Sequence, residues 1–292
     1  MYQIDLSGGF LVINWFPGHM TKTEKLIKEN IKWVDVVLEL VDARLPVSSK
    51  NPLLQEVLEE KPVVLVLNKA DLAERKETQK WLNFYREQSY AVIAFNALQN
   101  KGQGAKKKLY VLARKQAQAE LCRRQKKGIK NQVIRLMTVG IPNVGKSTLI
   151  NNLKGRGVAT TGNKPGVTKG KQWIRIDNDL ELLDMPGILW PKIADPIIGY
   201  KLAVTGAIKE EIYDSLQLAL WLLDWLKQNK PGRIRQRYQV AEEQEAVCVL
   251  ETLCQKRGVL KRGGDFDLEQ GANILLAEFR SGKLGRVTLD VY

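Results

Sequence analysis

Val133-Ile134-Arg135-Leu136-Met137-Thr138-Val139 runs straight into Gly140-Ile141-Pro142-Asn143-Val144-Gly145-Lys146-Ser147, and this junction decides the fold. The first seven residues are mostly apolar and rich in β-branched types, the composition of a strand buried on both faces. The next eight fit G-x-x-x-x-G-K-[ST], a loop whose backbone N–H groups cradle phosphate oxygens where side chains would clash. Residues 146–153 have the look of a helix, whose amino terminus adds its dipole to the same anion site.

Outward from the junction the alternation repeats. Residues 34–40, 63–67 and 90–95 read as buried strands, and 52–60, 74–88 and 104–126 as helices. Residues 172–176 and 180–183 read as a strand pair around Asp177-Asn178. Strands alternating with helices predict an α/β fold, a doubly wound and mainly parallel sheet. After Pro191 the texture changes. Residues 208–227, 242–257 and 266–279 carry helical spacing, and no strand pattern appears until the last few residues. The expected organisation is an extension over 1–13, a nucleotide-binding domain over 14–190 and a small all-helical domain over 191–292.

The chain has 292 residues, 44% of them apolar and 27% charged, which suits a globular protein with real cores. It holds no apolar run of about 18 residues, so no membrane span is expected. The apolar stretch 8–15 lacks a basic leader, so a cytoplasmic protein is expected rather than a secreted one. Cys122, Cys248 and Cys254 form no C-x-x-C pair and read as reduced packing thiols. The net charge of +14 is concentrated: residues 101–135 carry 12 Lys/Arg against 1 Asp/Glu. Such a local field suits a polyanion.

Asn68-Lys69-Ala70-Asp71 has the N-K-x-D form, and it stands before the phosphate loop. The Asp71 carboxylate can accept two parallel hydrogen bonds from guanine N1–H and its exocyclic amine, a donor pair that adenine lacks. Asn68 suits the guanine N7 side, and Lys69 can lie along the base. Asn96-Ala97 follows the next strand, where the Ala97 N–H can meet guanine O6. Lys146 supplies a point charge to the outer phosphates, and Ser147 offers a hydroxyl to magnesium. Asn143, Val144, Gly145 and Thr148 complete the nucleotide-facing stretch. Asp184, in Asp184-Met185-Pro186-Gly187, follows a strand as a magnesium-holding carboxylate should, and Gly187 is placed to donate its N–H to a γ-phosphate. Thr168 is favoured over Thr160 and Thr161 as the switch threonine that caps magnesium.

In this order the motifs resemble the circularly permuted GTPases, most of all the YlqF type, the ribosome biogenesis GTPase A family. Trp15-Phe16-Pro17-Gly18-His19-Met20, Asp42-Ala43-Arg44, Pro46, Pro165-Gly166-Val167-Thr168 and Gly282-Lys283-Leu284-Gly285 carry the resemblance with the motifs above, from about Asn14 onward. It implies a GTP/GDP-binding GTPase with magnesium, acting in late maturation of the large ribosomal subunit with the helical domain on ribosomal RNA. It also implies a potassium ion beside Asn143; the competing reading is a loop Asn bonded to its own backbone.

Many GTPases place a glutamine after the D-x-x-G glycine to orient the attacking water. Here Ile188 stands there, with no polar atom to do so. His19 is the only histidine in the chain. The resemblance implies that it moves in on the ribosome; a capping or packing role is the competing reading. Arg123-Arg124 and Lys126-Lys127 are expected phosphate partners, as are Lys227, Lys230, Arg233, Arg235 and Arg237, with Tyr238 able to stack a base. The alternative function is a nucleotide-gated binding module for another RNA, such as transfer RNA, in which hydrolysis is incidental. A monomer is expected.

Overall fold

The computed structural model describes residues 13–14, 18–58, 61–98, 103–129, 132–154, 172–241 and 244–292. The chain divides into two compact units: Phe16–Pro191 with Thr288–Tyr292, and Met1–Trp15 with Lys192–Val287.

The first unit holds a six-stranded sheet. Its strands are β2 (Val36–Asp42), β3 (Val63–Asn68), β4 (Ala91–Ala94), β5 (Ile134–Gly140), β6 (Gln172–Asp177) and β7 (Leu180–Asp184), in the order β4-β3-β2-β5-β7-β6; β1 (Ile13–Asn14) belongs to the other unit. Among the described strands of this sheet only β6 runs antiparallel. Every residue of β2 is buried, as a near-continuous apolar run requires of a strand covered on both faces, and Glu39 and Asp42 are buried with it. The chain builds outward from β2 to β4, then crosses back to β5 and builds the other way. The order therefore reverses between β2 and β5, and ligands of open α/β sheets sit in the crevice at the carboxyl ends beside such a switch point.

Helices α1 (Gly18–Asn30), α2 (Pro52–Leu58), α3 (Arg75–Glu87), α4 (Gln103–Lys126) and α5 (Lys146–Lys154) complete this unit. The basic helix α4 buries Leu109, Ala113 and Ala117, one residue every four, so a narrow stripe holds it and most of its charges face out, Arg124 excepted.

In the second unit β1 pairs antiparallel with β8 (Lys192–Ile193). Five helices follow: α6 (Pro196–Val204), α7 (Ser215–Asn229), α8 (Arg233–Tyr238), α9 (Ala246–Arg257) and α10 (Leu268–Arg280). Asp195, Asp214 and Asp267 cap α6, α7 and α10 by accepting backbone N–H bonds.

Several expectations change. Residues 208–227 are not one helix: a 3-10 turn, Glu210–Ile212, precedes α7, whose start is set by Asp214. Helices α6 and α8 and the β1–β8 pair were not foreseen. The last few residues form no strand; Thr288–Tyr292 is irregular. Of the cysteines only Cys254 is buried; Cys122 and Cys248 are exposed rather than packed in the core. The extension expected over 1–13 falls, for 1–12, outside the described residues.

Candidate active site

The guanine-type motif and the phosphate loop meet. Asn68 ends β3 and the loop begins at the end of β5, two strands away across β2. Asn68 Nδ2 donates to the Val144 carbonyl at 2.7 Å. Gly145 lies so close that a Cβ there would meet Asn68 Nδ2 at 2.4 Å, and its φ of +99° is in the region that L side chains rarely adopt. Glycine is therefore required there twice over. Asn68 is buried, and its Oδ1 has no hydrogen-bond partner among the described residues. The amide also keeps a second N–H for a ligand.

Lys69 follows at a φ of 58° and pairs with Asp42 Oδ2 at 3.2 Å. Asp42 also takes two hydrogen bonds from the Arg44 guanidinium, at 2.9 and 2.7 Å. Burial works against ionisation of Asp42, yet Arg44 and Lys69 together hold its carboxyl far below the usual carboxylate range. Burial lowers the Lys69 ammonium, and Asp42 opposes that fall. The Ala97 carbonyl accepts from Asn152 on α5 at 2.9 Å, so its segment is tied to the helix that the phosphate loop opens. The Asn96 side chain turns locally and accepts from the Leu98 N–H at 2.9 Å.

Lys146 is buried, and its Nζ donates to the Gly140 and Ile141 carbonyls at 3.1 and 2.9 Å. Burial pulls its ammonium down to about 8 against the pull of the Asp184 carboxylate, and Lys69 lowers it further. Ser147 Oγ donates to Asp184 Oδ2 at 3.2 Å. Burial raises Asp184, while Lys146, Ser147 and Thr138 oppose the rise. A hydroxyl and a carboxylate side by side are the hard oxygen donors that fit magnesium. Gly187 packs against the loop: a Cβ on it would meet Pro142 at 2.7 Å and Lys146 Nζ at 3.0 Å. Ile188 is buried; its N–H reaches the Gly140 carbonyl and its carbonyl accepts from Asn51 Nδ2.

Asn68, Lys69, Gly145, Lys146, Ser147, Asp184 and Gly187 are thus brought together. Asp71 follows Lys69 on the same turn, half-buried. Asn143 holds a φ of 56° in the loop. His19 lies in the first turn of α1, but its side chain is outside the described residues, and so is Thr168. Asp42, Arg44, Asn51 and Asn152 were missed as parts of the site. The Asp42-Ala43-Arg44 string was noticed without a role, because its partners lie far along the chain.

Three expected RNA contacts are corrected. Arg124 braces the fold through Asp35, Glu120 and the Val133 carbonyl. Arg237 forks onto Glu278 at 2.8 Å twice. Tyr238 is buried and donates to Glu278, so it presents no face to a base. Lys126, Lys127 and Arg235 are exposed.

Known proteins resemble this chain over nearly its whole length. Residues 135–253 match the family described as 50S ribosome-binding GTPase. The chain is 44% identical to ribosome biogenesis GTPase A of Priestia megaterium over 282 residues, covering 96% of this chain and 97% of that one. It is 42% identical to the Bacillus cereus protein of the same name, over 96% and 94%. A solved structure of GNP-bound YlqF from Thermotoga maritima superposes with a TM-score of 0.66 at 27% identity, over 93% of this chain and all of that one.

Proposed function

The chain belongs to the ribosome biogenesis GTPase A family, a GTPase of ribosome biogenesis, and from that membership we propose that it is a magnesium-dependent switch in late assembly of the large ribosomal subunit. One contact supports the nucleotide site most: the Asn68–Val144 hydrogen bond, which brings the base and phosphate motifs side by side despite their reversed order. Asp71 selects guanine, Asn68 and Lys69 flank it, and the Ala97 N–H faces O6. The Asn143–Thr148 stretch wraps the phosphates. Lys146 neutralises charge that develops on the transferred phosphoryl group. Ser147, Asp184 and Thr168 would hold magnesium, which when bound offsets phosphate charge. Asn143 would help hold a potassium ion, whose charge would offset that of the phosphates.

Ile188 cannot orient water, so His19 does so once the ribosome is bound, and intrinsic turnover is slow. Ribosomal RNA contacts the exposed lysines of α4 and the helical domain, residues 192–287. In chain order the D-M-P-G segment leads directly into that domain, so loss of γ-phosphate contacts can move it. The protein works as a cytoplasmic monomer; among the described residues no helix is long and apolar enough to cross a membrane.

Sedimentation with large subunits tests the proposal. Co-sedimentation is expected with a non-hydrolysable GTP analogue and loss with GDP; equal behaviour in both states would contradict a switch. The buried Ile188 favours a second reading, a binding module for which hydrolysis is incidental. His19→Ala with unchanged subunit-stimulated turnover would select it.

A further inference from the structure

The last five residues, Thr288–Tyr292, belong with the nucleotide unit, although the 96-residue stretch just before them, Lys192–Val287, builds the other one. They are held by specific bonds. The Leu289 and Asp290 N–H groups reach the Arg44 carbonyl at 2.9 and 3.3 Å. Asp290 Oδ2 accepts from the Val47 and Ser48 N–H groups at 2.9 and 2.7 Å, and Oδ1 accepts from Ser48 Oγ at 2.6 Å. Trp81 Nε1 donates to the Asp290 carbonyl at 2.9 Å, and the Tyr292 ring meets Trp81 edge-on with centroids 5.1 Å apart. Thr288 Oγ1 accepts from the Glu74 N–H at 3.0 Å. Thr288, Leu289 and Asp290 are all buried.

What the tail grips is the loop that supports the guanine motif. The Ala43 N–H donates to the Asn68 carbonyl at 2.7 Å. Arg44 grips Asp42, and Asp42 holds Lys69. The same loop continues to Asn51, which reaches the Ile188 carbonyl just past Gly187. A buried carboxylate that satisfies two backbone N–H groups and a hydroxyl fixes the shape of residues 44–48, and with it the seat of Asn68 and Lys69.

We propose that the C-terminal pentapeptide is a clasp that positions the guanine-reading motif, with Asp290 as its positioning residue. The proposal rests on Asn68, Lys69 and Asp71 contacting the base. By chain connectivity the clasp also hitches the helical unit to the base motif at its end, just as the D-M-P-G segment hitches it at its start. A ligand that displaces the tail by holding the helical unit would therefore loosen guanine nucleotide, and by linkage bound nucleotide would tighten the clasp.

The test is GDP affinity in the full chain. Asp290→Ala strands the Val47 and Ser48 N–H groups, and a five- to thirtyfold weaker GDP Kd is expected. Asp290→Asn keeps an oxygen for those N–H groups and an amide for Ser48 Oγ, so it is expected to retain most of the affinity. A chain ending at Val287 should also bind GDP weakly, and a synthetic peptide of residues 286–292 should restore binding saturably. GDP should tighten that peptide by the same factor by which the peptide tightens GDP. GDP affinity within twofold of the parent in Asp290→Ala overturns the clasp, as does equal loss in Asp290→Ala and Asp290→Asn. Failure of the parent chain itself to bind GDP would instead remove the nucleotide reading on which the clasp rests.

Discussion

Asn68→Ala removes the bond between the two halves of the nucleotide pocket, and its cost can be worked from the geometry. Asn68 and Val144 are both buried, so the Val144 carbonyl loses its 2.7 Å donor where water is scarce. An acceptor stranded this way costs about 1–3 kcal/mol. The second N–H of the same amide, available to the base, adds about 1 kcal/mol. The first loss falls on stability and on the preorganisation of the site and the second on binding, so GDP binding is expected to weaken at least about fivefold. Asn68→Asp should be no better, because it sets a carboxylate oxygen against the Val144 carbonyl. Calorimetric titration with GDP at fixed magnesium reads the effect, and far-ultraviolet circular dichroism reads the fold. A well-folded Asn68→Ala protein whose Kd lies within threefold of the parent would refute the reasoning.

Other outcomes follow from particular side chains. Burial pushes the Glu39 carboxyl up from 4.5 to about 7 against the pull of Lys50, and its Oε1 has no partner among the described residues. The folded state then holds a proton that the unfolded chain releases between pH 4.5 and about 7, so stability falls as pH rises through that window. At about 1.4 kcal/mol per pH unit the loss by pH 8 is about 3 kcal/mol; urea unfolding at pH 5 and 8 should show it in the parent and a flat response in Glu39→Gln. Ser147→Ala removes an oxygen donor beside Asp184 and should raise the magnesium needed for half-maximal GTP turnover at least tenfold; an unchanged magnesium titration would remove Ser147 from the metal site. Arg124→Ala leaves Asp35 without its ion pair and should cost about 2 kcal/mol of stability with RNA affinity nearly unchanged. Lys126→Ala with Lys127→Ala should do the reverse, lowering the slope of log K against log salt by about 2; a reversed pattern would contradict the division of labour between these side chains.

The parallel core was legible because its strands are near-continuous apolar runs, and the β5–loop–α5 junction because a strand, a glycine-bounded turn and a helix each leave local marks. Element ends moved by a residue or two where a cap or a ladder bond decides them, as when β2 extends to Asp42. What escaped was non-local. Arg237 shows no acid beside it in the sequence because Glu278 arrives from 41 residues further on. Helix α6 is apolar but for Tyr200 and Lys201 and leaves no amphipathic period. The two-residue pairing of β1 with β8 is too short to show alternation. Asp42 and Arg44 read as a bare string because their partners, Lys69 and the tail, come from other parts of the chain. Within the site the motif residues were therefore visible, and the side chains that hold them in place were not.

The most direct test is a paired titration of GDP and XDP against the parent and Asp71→Asn. Xanthine carries an oxygen where guanine carries the exocyclic amine, so an amide in place of the carboxylate should exchange the preference. The parent is expected to favour GDP and Asp71→Asn to favour XDP, both by more than tenfold. A variant that still selects GDP would show that Asp71 does not read the base, and the joined pocket would lose its central contact.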